Sequence, residues 1–287
     1  MTRAALEYNS RQLLTQFNRR PFHVRHNLVG HPLLQIPRLL DLVKALPAEY
    51  LEYASGEQLL DQKPELTPRN GLTAEETVAR IRDNKSWMVI KFIETDPEYK
   101  ELLDTLLNPI VAETAQIAPR AGRRYGFIFV SSPGSVTPYH MDGEHNFLLQ
   151  VQGSKTMHVW SPDDRYVCSE EQLEAFHAGG VHRNMKYDDS FESSAYKLQI
   201  NPGEGLHVPV TSPHHVKVGP EVSVSLSITY RSMVSDRAAF LYRTNARLRK
   251  RGLSPAPVGS HPLVENALYR TSRAWHMLKG DADREPV

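Results

Sequence analysis

The chain has 287 residues and a formal net charge of +1, with 40% hydrophobic and 23% charged residues. That length is ample for a buried core, as one large domain or two small ones. A charge so near zero argues against wholesale nucleic-acid binding, which wants a strongly basic surface, and gives no strong sign of a nucleic-acid partner. The single cysteine, Cys168, excludes an internal disulfide or a thiolate metal cage and is expected as a small, semi-buried residue.

The first twenty residues lack the apolar core of a signal peptide, and no run approaches the ~18 apolar residues of a membrane span. A soluble, cytoplasmic protein is the expectation. Charge is uneven along the chain. Residues 233–287 carry ten Lys/Arg against five Asp/Glu, and residues 1–232 carry 24 against 28.

Residues 1–122 read as a helical N-terminal shell. Helical apolar spacing covers Ile36–Leu46, Thr73–Asn84 and Pro97–Ala118, and Thr73 with Glu76 forms a capping-box pattern. Prolines at 47, 64, 68 and 97 punctuate these segments.

From residue 123 to 232 the texture is that of strands. Phe127–Ser132, Asn146–Gln152, Thr156–Ser161, Lys197–Asn201, Leu206–Val210, His214–Val218 and Val222–Arg231 are short and rich in β-branched or aromatic residues. Turn signals such as Ser132-Pro-Gly, Gln152-Gly-Ser, Asn201-Pro-Gly and Val218-Gly-Pro separate them, which points to a sandwich or barrel. A polar insert over 163–190 contains an expected helix at Ser169–Ala178. Residues 233–287 read as a basic helical tail. Ser235–Arg251 ends at Gly252, a plausible C-cap, and Pro262–Lys279 places Val264, Leu268 and Trp275 near one face.

The segment Thr137-Pro-Tyr-His140-Met-Asp142 carries the first chemical signal. Residues two apart on an extended strand point to one side, so His140 and Asp142 can present an imidazole and a carboxylate to one ion. A distant strand has to supply another histidine, and Leu206–Val216 offers His207, His214 and His215. Two histidines and a carboxylate on one face leave three coordination positions open, as in non-haem Fe(II) oxygenases. A closed structural zinc site leaves none. A 2-oxo acid chelated at such a centre holds its far carboxylate several ångströms away. Lys155, just after the turn at Gly153-Ser154, offers an ammonium for it and Thr137 a hydroxyl.

The run T-P-Y-H-M-D-G-E-H-N-F-L-L-Q-V-Q-G-S-K, residues 137–155, resembles the JmjC-type cupin hydroxylases, the asparaginyl hydroxylase of hypoxia-inducible factor in particular. Thr137, His140, Asp142, Asn146, Phe147 and Lys155 match that pattern without a gap. Gly203-Glu204-Gly205-Leu206-His207-Val208-Pro209 followed by His214 matches the distal pattern, in which the ligand stands five residues after the proline. The resemblance covers roughly residues 123–232. It implies a double-stranded β-helix (cupin or jelly-roll) with flanking helices, and His140, Asp142 and His214 as the metal ligands of a catalytic centre. It implies Fe(II), 2-oxoglutarate and O2, with Thr137 and Lys155 on the C5 carboxylate and Asn146, Phe127 and Phe129 lining the cosubstrate pocket. The sequence departs from the pattern at Ser212-Pro213, where an aromatic pair is usual, and at Ser225 or Ser227, where an Asn is usual. Ser227 is retained as a cosubstrate-pocket residue.

The other histidines carry blander expectations. His158 and His207 sit in strands as core or pocket residues, and His215 points away from His214 by alternation. His145 and Glu144 stand close enough to Asp142 to support it. The expected reaction is hydroxylation of a C–H bond, on a protein or peptide side chain. Hydroxylation or N-demethylation of a small molecule or lipid is the alternative, as is a non-catalytic cupin binding module. The resemblance also implies a homodimer through the C-terminal helices. Arg237, Arg243, Arg247, Arg249, Lys250 and Arg251, with no acid among them, are read chiefly as a solvated face, next as a dimer interface, and last as a contact for an anionic membrane surface or nucleic acid.

Overall fold

A computed structural model describes residues 3–179 and 185–278, with side chains as far as residue 274. Its helices in chain order are α1 (Ser10–Gln16), α2 (Ile36–Ala45), α3 (Ala74–Ala79), α4 (Pro97–Glu113), α5 (Glu170–His177), α6 (Met233–Arg249) and α7 (Pro262–Leu278). Its strands are β1 (Leu6–Glu7), β2 (Phe22–His26), β3 (Leu51–Ser55), β4 (Ser86–Lys91), β5 (Arg124–Ser131), β6 (Val136–His140), β7 (His145–Gln152), β8 (Lys155–Val159), β9 (Tyr196–Ile200), β10 (Glu204–Val208), β11 (His214–Val218) and β12 (Ser223–Tyr230).

Two antiparallel sheets form. The major sheet has the order β1-β2-β10-β7-β12-β5-β4-β3 and the minor sheet β6-β11-β8-β9. Strands β5 to β12 divide four and four between the sheets, which is the double-stranded β-helix expected. The alternation in β12 explains how one strand serves two environments. Val224, Leu226, Ile228 and Tyr230 join the cluster under the helices, with Leu42, Leu103, Leu106 and Ile110. The intervening Ser223, Ser225, Ser227 and Thr229 point to the other face, between the sheets. There Ser225 Oγ donates to Gln150 Oε1 at 2.7 Å and Gln150 Nε2 donates to Ser223 Oγ at 2.9 Å. A separate apolar cluster joins Leu148 and Leu206 of the major sheet to Met157 and Val216 of the minor sheet.

The helical-shell reading of residues 1–122 requires correction. That stretch supplies β1, β2, β3 and β4, which extend both edges of the major sheet. Strand β4 pairs with β5 from Trp87↔Ser131 to Lys91↔Phe127, so a boundary at 122/123 cuts a continuous sheet. Five-residue alternations and a short apolar run are poor period signals, and edge pairing with β5 and β10 decides their state. Helix α3 carries the expected capping box but ends at Ala79, short of Asn84. Helix α4 ends at Glu113, short of Ala118.

The tail is less solvated than its composition suggests. Phe240 and Leu241 of α6 pack on Tyr269 of α7. Arg249 Nε and Nη2 donate to the Glu174 carboxylate of α5 at 2.7 and 3.0 Å. Leu263, Val264 and Leu268 of α7 remain 87%, 61% and 48% exposed. The Trp275 side chain lies outside the described residues.

Candidate metal centre and cosubstrate cavity

Strands β6 and β11 pair in the minor sheet with His140 opposite His214. Asp142 lies two residues beyond the end of β6, in the loop to β7, so strand alternation alone does not aim it. The Thr211 N–H donates to the Asp142 carbonyl at 2.8 Å and braces that loop. Thr211 itself has φ +58°, a left-handed conformation that is costly for a β-branched residue. Sequence reasoning missed Thr211, because its role lies in the backbone.

One ligand atom from each of His140, Asp142 and His214 falls within 4.8 Å of the others. His214 Nε2 is 3.7 Å from Asp142 Oδ2, and the two imidazole centroids are 4.1 Å apart. His140 Nδ1 is 2.7 Å from the Pro138 carbonyl, and His214 Nδ1 is 2.9 Å from the Ser212 carbonyl. A carbonyl can only accept, so each Nδ1 carries the proton and each Nε2 keeps its lone pair for a metal. Two neutral imidazoles and one carboxylate fit a divalent iron with open positions. At the departure from the aromatic pattern, the Ser212 carbonyl thus sets the His214 tautomer.

A cavity of about 450 Å³ opens at His140 and Asp142 of this triad, lined by Thr137, Asn146, Phe127, Phe129 and Ser227 among others. Ser227 Oγ donates to Asn146 Oδ1 at 2.9 Å, which leaves the Asn146 NH2 end to meet a ligand. Lys155 is 4% exposed, with its ammonium 5.2 Å from the centre of the Phe129 ring. Among the described residues no carboxylate pairs with it, and burial pushes its pKa down to about 7. A buried cation without a counter-ion is an electrostatic vacancy for an anion. The turn before it requires Gly153: φ is +66°, and a Cβ there would run into the Val222 carbonyl.

Sequence reasoning also missed part of the cavity wall. Glu52, Trp87, Val89 and Lys91 come from β3 and β4, Phe176 and His177 from α5, and Ala239 and Arg243 from α6. Lys91 Nζ and Glu52 Oε2 form an ion pair at 2.6 Å. The run Ser86-Trp-Met-Val-Ile-Lys carried strand propensity that could have flagged β4.

The remaining histidines sort by partner. His207 donates from Nδ1 to the Asn146 carbonyl at 3.1 Å and accepts the Asn18 N–H on Nε2 at 3.2 Å. Both ring nitrogens are thereby used, and the ring stacks on Phe17 at 4.7 Å. His215 and His158 stack on each other at 4.4 Å and share the Glu192 carboxylate. His145 Nε2 contacts Ser232 Oγ at 2.8 Å, at the N-cap of α6.

Residues 56–236 match the family model of the cupin-like domain. Lysine-specific demethylase 8 of Xenopus tropicalis is 28% identical over 107 residues, 34% of this chain and 22% of that protein. The Danio rerio protein of that name is 29% identical over 99 residues, 33% of this chain and 24% of that protein. The chain thus spans about a quarter of the length of these curated relatives. YcfD, a ribosomal oxygenase from Escherichia coli, has a similar fold, with a TM-score of 0.51 at 15% identity over 90% of this chain and 60% of that one. No helix among the described residues is long and apolar enough to cross a membrane.

Proposed function

This chain belongs to the cupin-like domain family, and we propose that it is an Fe(II)- and 2-oxoglutarate-dependent oxygenase that hydroxylates a C–H bond on a protein or peptide side chain. The convergence of the His140 and His214 Nε2 atoms with the Asp142 carboxylate carries this reading. Bound iron would supply the dioxygen chemistry that no side chain performs.

The chain's own residues provide binding and orientation. The Pro138 and Ser212 carbonyls hold the imidazoles in the ligating tautomer. The Lys155 ammonium, with the Thr137 hydroxyl, takes the C5 carboxylate of 2-oxoglutarate. Phe127 and Phe129 wall that carboxylate off from water, where a charge-assisted bond is strong.

A charged rim supports a polypeptide substrate. Glu52, Lys91, Glu144, Arg231 and Arg243 line the cavity beside the triad, where a chain with its own charged groups can be oriented. The ribosomal oxygenase with a similar fold acts by name on a protein-containing assembly. A second reading, loss of an N-methyl group through the same C–H hydroxylation, is favoured by the name of the two curated relatives. Incubation with iron, ascorbate and 2-oxoglutarate, read for succinate, tests the oxygenase reading. Formaldehyde release on a methylated peptide separates demethylation from stable hydroxylation. We also propose a homodimer, supported by the uncovered Leu263, Val264 and Leu268 of α7.

A further inference from the structure

Beside the first turns of α6 lies a second cavity, of about 470 Å³, bordered by α7 and by Arg120. Four guanidinium groups line it: Arg120, Arg237, Arg270 and Arg273, with Asn266 and Tyr269 between them. It is distinct from the metal cavity. Helix α6 turns Met233 and Arg237 to this side, and Ala239 and Arg243 to the triad.

Among the described residues around this cavity, cations outnumber carboxylates. Segments 114–122, α6 and α7 hold two acids between them, Asp236 and Glu265. Asp236 Oδ1 accepts Arg231 Nε at 2.9 Å. The Glu265 carboxylate accepts Arg237 Nη2 at 2.8 Å and the backbone N–H groups of Gly259 and His261 at 2.7 and 3.2 Å. Among the described residues no carboxylate pairs with Arg120, Arg270 or Arg273. Arg273 lies 5.9 Å from the centre of the Tyr269 ring, and Arg237 Nε is buried with no acceptor. Arg120 enters from a strained backbone, with φ +55°.

Like charges gathered in one concavity repel, and among the described residues no carboxylate forms an ion pair with three of the four. Guanidinium forks present paired N–H donors that match the oxygens of a phosphate, and the Asn266 amide adds a neutral donor. We propose that this cavity is a binding site for a phosphoryl group, free or carried on a nucleic-acid strand. A modest net charge for the whole chain is compatible with such a site, because the positive charge is local to the tail. The inference does not rest on the oxygenase reading, since binding requires neither metal nor cosubstrate.

The test uses the full chain without iron or 2-oxoglutarate. Pyrophosphate is titrated by calorimetry and a labelled single-stranded oligoribonucleotide by fluorescence anisotropy, for the parent, an Arg270→Ala/Arg273→Ala variant and an Arg80→Ala/Arg82→Ala control. The control removes the same charge from exposed positions elsewhere. The pocket variant is expected to bind about 100-fold more weakly, as each of the two lost charge-assisted contacts is worth roughly 10-fold. The control is expected to match the parent. Binding of pyrophosphate alone identifies a free phosphate as the ligand. Tighter binding of the oligonucleotide identifies a phosphodiester backbone, and the salt slope then falls by about 1.4 in the pocket variant, at about 0.7 per single-strand phosphate contact. The proposal is overturned if neither anion binds, or if the control variant loses as much affinity as the pocket variant.

Discussion

His140 and His214 are register partners across β6 and β11, with ring centroids 4.1 Å apart and each Nδ1 bonded to the carbonyl two residues upstream. The sheet ladder therefore sets the spacing of the two imidazoles, and the local carbonyls set their tautomer. His215, one residue on, packs instead on His158 and Glu192.

From this pairing, His140→Ala, Asp142→Ala and His214→Ala should each abolish 2-oxoglutarate turnover and weaken iron binding by more than ~10-fold. His215→Ala should keep iron affinity within a few-fold. Iron titration by calorimetry and succinate release check both. Loss of iron binding in His215→Ala with retention in His214→Ala would refute the ligand assignment.

Lys155→Ala should raise the 2-oxoglutarate requirement by roughly 10- to 150-fold with little change in iron affinity, since a charge-assisted bond contributes about 1.5–3 kcal/mol. The burial-lowered pKa of about 7 adds a pH dependence. The bound carboxylate favours the protonated ammonium, so binding above pH 7 takes up a proton. Affinity for 2-oxoglutarate should then fall about tenfold per pH unit above 7. Lys155→Met should remove this slope, and a slope unchanged in that variant would place the titrating group elsewhere.

Acid should unfold the protein through its buried imidazoles. Burial pushes His145, His177 and His207 down to about 3. Between pH 6.5 and 3 the unfolded chain binds these protons and the folded chain does not, so stability is lost as pH falls below 6.5. Each such histidine contributes about 1.4 kcal/mol per pH unit within that window. Urea midpoints at pH 7, 6 and 5 measure the slope. A flat profile would mean that these rings protonate freely in the folded state.

Leu263→Glu/Leu268→Glu should shift a dimer to monomer at micromolar concentration in light scattering, leaving iron binding intact. Both side chains are exposed, so the fold of the single chain should tolerate the charge. A parent protein already monomeric at that concentration would remove the dimer proposal.

The β core was legible in the sequence as short strands separated by turn signals. Strand alternation in Val224-Ser225-Leu226-Ser227-Ile228-Thr229 reads directly as an apolar outer and polar inner face, because the side-chain period of a strand is two. The register that sets His140 opposite His214 lies on strands, whereas Asp142 falls in the loop after β6, where a period of two does not apply. Tertiary structure decided what spacing cannot encode. The loop that carries Asp142 is tied by a backbone bond from Thr211, 69 positions away. The states of β2 and β4 depend on pairing with β10 and β5, which five or six residues of pattern do not specify. The arginine cavity exists only where α7 folds back beside α6, bringing Arg270 and Arg273 to Arg120 across 150 residues of chain. Local pattern fixes which face of an element is apolar, and long-range packing fixes which elements meet.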